Sequence, residues 1–155
     1  MNNIWAPWRM QYITTEKESS CIFCMAATDG DQLVLTKGKL CFAIMNRFPY
    51  TSGHCLIAPY RHVGDIVEIT SEESSEIMSM ANNIISAIRS VMNPQGFNVG
   101  FNIGKAAGAG IAEHLHMHIV PRWNGDTNFM PVLSDVHIIS EYIEQTRDKI
   151  KRFLP

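Results

Sequence analysis

The sequence predicts an α+β fold: an antiparallel sheet of about five strands, a long central helix and a C-terminal helix. Three observations predict it. Short apolar stretches with a period of two recur between turn residues. A run of apolar positions at helical spacing follows Thr70-Ser71-Glu72-Glu73, where Thr70 and Glu73 form a capping box. The segment His114-Leu115-His116-Met117-His118-Ile119-Val120 alternates strictly, so a strand there carries three histidines on one face and Leu115, Met117 and Ile119 on the other. Pro121 lacks an N–H and is expected to close that strand.

Each element can be placed in order. Residues 1–20, with Trp5, Trp8 and Tyr12, read as an N-terminal arm packed on something rather than a loose tail. Cys21-Ile22-Phe23-Cys24 reads as a tight turn, and Thr28 to Gln32 as another turn. Leu33–Thr36 and Leu40–Met45 are strands joined by Lys37-Gly38-Lys39. A long polar turn, 46–53, leads to a third strand, His54–Pro59. The helix runs from about Ser71 to Met92, with Ile77, Ala81, Ile84, Ile85, Ile88 and Val91 as its apolar stripe and Met78 and Met80 assigned to the core. Asn93-Pro94-Gln95-Gly96 ends it. Phe97–Ile103 is the fourth strand, with Phe97, Val99, Phe101 and Ile103 pointing one way and Asn98, Gly100 and Asn102 the other. A glycine-rich link, 104–113, enters the histidine strand, and a final helix is expected over 134–153 within a helical tail, 134–155. Neither repeat nor linker divides the 155 residues, which read as one domain.

Composition narrows the function. A formal net charge of −2 with 18% charged residues projects no field suited to duplex nucleic acid or an acidic membrane. No stretch reads as a membrane span or export signal, so a cytoplasmic location with reduced thiols is expected. Of the four cysteines, only Cys21 and Cys24 form a local motif. Two thiolates at this spacing can grip a zinc ion, act as a redox dithiol, or simply pack. The redox reading needs a helix start after Cys21, and the sequence offers no clear one. Three imidazoles on one strand face suggest a metal site, a nucleophilic imidazole with supporting imidazoles, or both; the bland alternative is a polar strip at a sheet surface. Main-chain N–H groups of the glycine-rich link suit an anion, although it lacks the ending of a nucleotide P-loop.

In this order, Cys21–Cys24, Phe42-Ala43-Ile44-Met45-Asn46-Arg47, Gly53 to His62, Asn102, the glycine-rich link and the alternating histidines closely resemble the histidine-triad family of nucleotide-binding enzymes. The resemblance covers most of residues 21–133. Trp5-Ala6-Pro7-Trp8-Arg9 and Pro121 to Phe129 look like a bacterial branch, some of whose members split diadenosine polyphosphates with phosphate as acceptor. It implies that His116 is the nucleophile and forms a covalent nucleotidyl-imidazole, with His118, Asn102 and His114 around it. It implies a nucleotide site made by Ile44, Asn46, His54, Gly108, Ala109 and Gly110, with Asn46 at the ribose hydroxyls and Ile44 at the base. It also implies a structural zinc held by Cys21, Cys24, His62 and His114, and a homodimer. The expected substrate is an adenine nucleotide or dinucleoside polyphosphate such as diadenosine tetraphosphate, with water or phosphate as acceptor. A phosphoramidase and a non-catalytic nucleotide-binding protein are the alternatives. One departure stands out: Gly108-Ala109-Gly110-Ile111 replaces the glutamine or hydroxyl that some branches carry before the triad, leaving more to main-chain donors. His137 and Trp123 receive no role.

Overall fold

The computed structural model describes residues 21–126 and 139–155. The N-terminal arm, His137 and the first part of the expected C-terminal helix lie outside the described residues. The elements are α1 (Ile22–Asp29), β1 (Val34–Lys37), β2 (Cys41–Met45), β3 (Cys55–Pro59), α2 (Ser71–Met92), β4 (Gly96–Phe101), β5 (Met117–Arg122) and α3 (Ile143–Lys151), with short 3-10 turns at Ile66–Glu68 and Lys105–Ala107.

The five strands form one sheet in the order β1-β2-β3-β5-β4, and every neighbouring pair is antiparallel. Strands β3 and β4 therefore run parallel, which requires a long crossover, and α2 supplies it. The returning chain inserts β5 between them. The histidine strand thus has a partner on each side and cannot fray at an edge.

One row of paired residues crosses the sheet from Val34 through Ile44, Leu56 and His118 to Gly100. Directly paired residues point to the same face, so Ile44 and Leu56 share the face of His118. The opposite face carries Cys41, Ala43, Ile57, Met117 and Ile119, and it packs on α2, where the Cys41 thiol meets the Glu73 carbonyl at 3.7 Å. Ile57, Ile84, Ile88 and Ile119 are fully excluded from water at this junction. Each such side chain contributes about 1.5–3 kcal/mol of transfer free energy. Burial pushes the Cys41 and Cys55 thiols up to about 12, so both behave as small apolar core residues.

Several sequence expectations need correction. The histidine strand begins only at Met117; His114 lies in a bend and Leu115 and His116 lie outside the ladder, with the Leu115 N–H donating to the Val63 carbonyl at 2.6 Å. Leu115, Met117 and Ile119 are buried as expected, but so are His114 and His116, so the histidines do not form an open face. Pro121 does not close the strand: β5 continues to Arg122, paired there with β4 alone, and the Thr51 hydroxyl donates to the Pro121 carbonyl at 2.8 Å. A helix does start after Cys21, where a turn was expected, and runs to a left-handed Gly30. The apolar face of β4 is only partly buried. This strand lies at the sheet edge and ends at Phe101; Phe97 and Phe101 pack on the core, with the Arg89 guanidinium of α2 5.6 Å from the Phe97 ring, whereas Val99, and Ile103 past the strand end, are 44% and 39% exposed. Met78 is exposed, while Met80 is buried as expected. Finally, α3 begins at Ile143 rather than near residue 134, because residues 139–142 approach it in non-helical conformation with Tyr142 extended at the cap. Thr146 and Ile150 are the buried residues of α3, and Ile143 at its start packs partly against the core.

Candidate active site and adjoining metal cluster

His116 is 6% exposed and immediately precedes β5. Its Nδ1 is 2.8 Å from the His114 carbonyl. A carbonyl only accepts, so Nδ1 carries the proton and Nε2 keeps its lone pair. Burial holds the His116 pKa below its usual value, partly opposed by that carbonyl bond, so the ring is neutral at physiological pH. A neutral imidazole with a bare Nε2 is the nucleophilic form. Phe23 of α1 packs on both His114 and His116, with ring centroids 5.1 and 4.8 Å away.

His118 is fixed by a relay that the sequence did not disclose. The Tyr50 main-chain N–H donates to His54 Nδ1 at 3.1 Å, and the Asn46 Nδ2 group donates to the same nitrogen at 3.2 Å. His54 Nδ1 is therefore an acceptor, and its proton is on Nε2, 3.0 Å from His118 Nδ1. That nitrogen accepts, which leaves the His118 proton on Nε2. His118 Nε2 is buried and has no hydrogen-bond partner among the described residues. A buried orphan donor is costly unless something arrives to accept from it. Burial, with neighbouring imidazoles adding to it, lowers the pKa to about 3 at His54 and about 4 at His118. Both rings stay neutral while the relay operates.

The remaining candidates divide. Asn102 and His118 line one cavity of about 430 Å³, together with Tyr50, Gly100, Asn98 and Arg122. Ile44 lies on the histidine face, two strands from His118. Asn46 serves its own turn, its Oδ1 accepting from the Phe48 N–H at 3.0 Å, as well as His54. His54 is fully buried and stands behind His118 rather than at the cavity surface. In the glycine-rich link, the N–H groups of Gly108 and Ala109 donate to the Lys105 and Gly104 carbonyls, so two of the three expected anion donors are used within the turn. The N–H of Gly110 makes no main-chain bond among the described residues. Arg122 is not a solitary cation: Nε and one Nη contact both Asp126 oxygens at 2.6 and 2.9 Å, and the other Nη meets Asn98 Oδ1 at 2.8 Å. The guanidinium pulls the Asp126 carboxyl down to about 2. The i,i+4 spacing of Arg122 and Asp126 around a glycine turn was the available sequence signal for this pair; Tyr50 had none beyond being an aromatic in the turn before His54.

Behind the triad, Cys21, Cys24, His62 and His114 offer ligand atoms that all lie within 4.8 Å of one another. Three separate pieces of chain meet here. Cys21 caps α1 and Cys24 lies in its first turn. Gly64, where a Cβ would come within 2.9 Å of the Ala112 carbonyl, lets the segment after β3 press against the chain entering the triad and brings His62 beside His114. The donor atoms suit a metal. His114 Nε2 donates to the Pro59 carbonyl at 2.9 Å, so Nδ1 presents a lone pair, and it faces Cys21 and Cys24 sulfurs at 3.3 and 3.7 Å. Cys24 sulfur is 3.4 Å from His62 Nδ1. Zinc–sulfur and zinc–nitrogen bonds of ordinary length put the edge of a tetrahedron at about 3.6 Å. The helix start after Cys21 removes the sequence objection to a redox dithiol, but the two histidine nitrogens match a four-ligand metal shell better.

The HIT domain family matches residues 27–125. A protein of Mycobacterium tuberculosis named AP-4-A phosphorylase is 37% identical over 95% of this chain and 81% of its own length. Among solved structures, a hypothetical histidine triad nucleotide-binding protein from Sulfolobus tokodaii superposes with a TM-score of 0.70 at 25% identity, over 85% of this chain and 90% of that one. A zinc-bound histidine triad family protein from Mycobacterium smegmatis gives a TM-score of 0.69 at 29% identity, over 86% and 91% of the two chains. On the match to the family over most of its length, and on a triad built as described, this chain belongs to the HIT domain family.

Proposed function

We propose that this protein cleaves dinucleoside polyphosphates such as diadenosine tetraphosphate through a covalent nucleotidyl-His116, with inorganic phosphate as the preferred acceptor. The observation that carries the chemistry is the pair of fixed tautomers: a bare Nε2 on His116 and an unpartnered, buried Nε2–H on His118. His116 Nε2 attacks the α-phosphorus and forms a phosphorus–nitrogen bond. The bond from that phosphorus to the bridging oxygen breaks, and its electron pair leaves with the departing nucleoside polyphosphate. His118 Nε2–H and the Asn102 amide hydrogen-bond to phosphoryl oxygens as charge grows on them. An acceptor oxygen then attacks the same phosphorus, and the phosphorus–nitrogen electrons return to Nε2. Similarity to the mycobacterial AP-4-A phosphorylase favours phosphate over water as that acceptor. Ile44 would form a wall of the base slot and Asn46 would read the ribose.

Cys21, Cys24, His62 and His114 would hold a zinc ion. Four protein ligands close its shell, so it supplies rigidity and no bound water. Thiolate ligands fit a reducing, cytoplasmic setting. No described helix is long and apolar enough to cross a membrane. Exposed Val99 on the open edge of β4 supports pairing with a second copy.

The test uses diadenosine tetraphosphate with and without inorganic phosphate. The expected products are ATP and ADP, formed only with phosphate. ATP and AMP in phosphate-free buffer would make water the acceptor. Release of AMP from adenosine 5′-phosphoramidate alone would move the protein to phosphoramidase chemistry. Binding with neither product nor an acid-labile label on His116 would leave a nucleotide-binding protein. His116→Ala abolishes transfer if the assignment is right.

A further inference from the structure

The cavity beside His118 is not where the transferred nucleoside is expected. Ile44 and Asn46 lie toward β2, on one side of His118; the cavity extends the other way, over β5 and β4. Register orders its floor. His118 pairs with Gly100, Val120 with Asn98, and Arg122 with Gly96, so the groove follows the seam between the two strands. Four residues of strand separate His118 from Arg122, about 13 Å at the usual rise. At the near end is the orphan donor of His118. Next to it Gly100 leaves the floor bare, with nothing within 4 Å of where its Cβ would be. Tyr50 forms a wall, 52% exposed, its ring nearly parallel to that of His118 at 4° and 6.1 Å between centroids. At the far end the guanidinium of Arg122 is locked by Asp126 and Asn98.

The two ends differ in chemistry. The near end, with an N–H donor and a bare floor, fits phosphoryl oxygens. The far end is not an anion trap, because Asp126 already offsets the charge of Arg122. What remains there is a preformed planar guanidinium face and an amide, with the Tyr50 ring as a wall of the same cavity, a setting on which a base can stack and be hydrogen-bonded. A volume of about 430 Å³ lies within the range of small-molecule sites.

We infer that the β4–β5 groove is the subsite for the leaving arm of the substrate, with its polyphosphate over Gly100 and its distal purine nucleoside between Tyr50 and the Arg122–Asn98 cluster. This rests on the dinucleotide reading above. It makes Tyr50, Asn98, Gly100 and Arg122 the determinants that distinguish a dinucleotide from a mononucleotide with the same reacting phosphorus. Neither Tyr50 nor Arg122 touches the bond that breaks; they position the group that leaves.

Binding separates this inference from the catalytic one. In His116→Ala protein, where nothing is transferred, calorimetry gives the dissociation constants of AMP and of diadenosine tetraphosphate, and their ratio measures what the second arm adds. Gly100→Leu, which fills the floor, and Arg122→Ala, which removes the guanidinium face, are each introduced into that background. Thermal midpoints identify any variant that fails to fold, and the other then carries the test. The expected result is a fall in the ratio of about tenfold or more, the size of one lost base-stacking platform. A ratio unmoved by a folded variant overturns the inference. So does loss of inorganic phosphate binding with the ratio intact, which would make the groove the acceptor site. If the parent protein cleaves nothing but the ratio still falls, the groove stands and the enzymatic reading fails.

Discussion

Protonation sets the behaviour of His54 and His118. In the folded protein burial keeps His54 and His118 neutral down to about pH 3 and 4, whereas the unfolded chain protonates them near the usual value of 6.5. The unfolded state therefore binds more protons as pH falls below 6.5, and stability drops from there toward pH 3–4. For fully buried His54 the loss between pH 6.5 and pH 5 is at most about 2 kcal/mol. His54→Leu should flatten this slope, so urea unfolding at pH 7 and pH 5 should differ less in the variant than in the parent; an unchanged difference would refute the buried-neutral assignment. His118→Ala should lower kcat by about 10²- to 10³-fold while changing nucleotide affinity little, because it removes one donor to developing charge. Steady-state kinetics on diadenosine tetraphosphate reads both values. Much of this site was legible residue by residue. Three alternate histidines and two paired cysteines carry their chemistry in their spacing. The role of His54 was not legible, since it depends on a main-chain N–H delivered by the turn at Tyr50, and no residue type encodes that. The offset charge of Arg122 had only its i,i+4 spacing to Asp126 as a signal, and the turn through Gly125 is what closes the pair.

At the scale of elements, legibility followed capping chemistry. Helix α2 has the expected limits, Ser71–Met92, because Thr70 and Glu73 exchange side-chain bonds with each other's main chain and Asn93 accepts a left-handed conformation at φ 47°. Helix α1 was missed because Cys21 makes no side-chain cap bond and is not a preferred capping residue. The edge position of β4 was not legible, because periodicity reports alternation and cannot report which strand lies at an edge. The turn between β1 and β2 was legible as a turn, but its anchor was not. Glu76 of α2 accepts from the N–H groups of Lys39 and Leu40 at 2.6 and 2.7 Å. A Cβ at Gly38 would sit 2.0 Å from the same carboxylate and 2.6 Å from Met80 Cε. Gly38→Ala moves the ends of the Glu76 and Met80 side chains, and it should destabilise the fold by about 1–3 kcal/mol because the Lys39 and Leu40 N–H groups lose their charged acceptor. Denaturant titration should show a lower midpoint with an unchanged slope; a stability equal to the parent would mean that the turn is not clamped.

For the molecule as a whole, the decisive question is what holds α1 against the sheet. The helix has eight residues, begins without a side-chain cap and covers His116 with Phe23. So short a helix owes little to its own hydrogen bonds. The Cys21, Cys24, His62 and His114 cluster joins it to the segment after β3 and to the chain entering β5, three regions distant in sequence. A zinc ion there would bind the folded chain in preference to the unfolded one, so its binding free energy would add to folding. Purified protein should then contain close to one zinc per chain, and a chelator should lower the thermal midpoint and the transfer rate together, as Phe23 lifts from His116. The four ligands are not equivalent. His62 is exposed and lies at the rim, so water can replace its nitrogen; Cys21 faces the fully buried His114. His62→Ala should keep part of the metal and lose a few degrees, whereas Cys21→Ser should lose nearly all the metal and more of the midpoint. Elemental analysis beside thermal unfolding tests the ordering. Equal zinc content in both variants would argue against these ligand positions. Metal-free parent protein whose midpoint ignores chelator would mean that α1 is held by Phe23 and its apolar contacts alone.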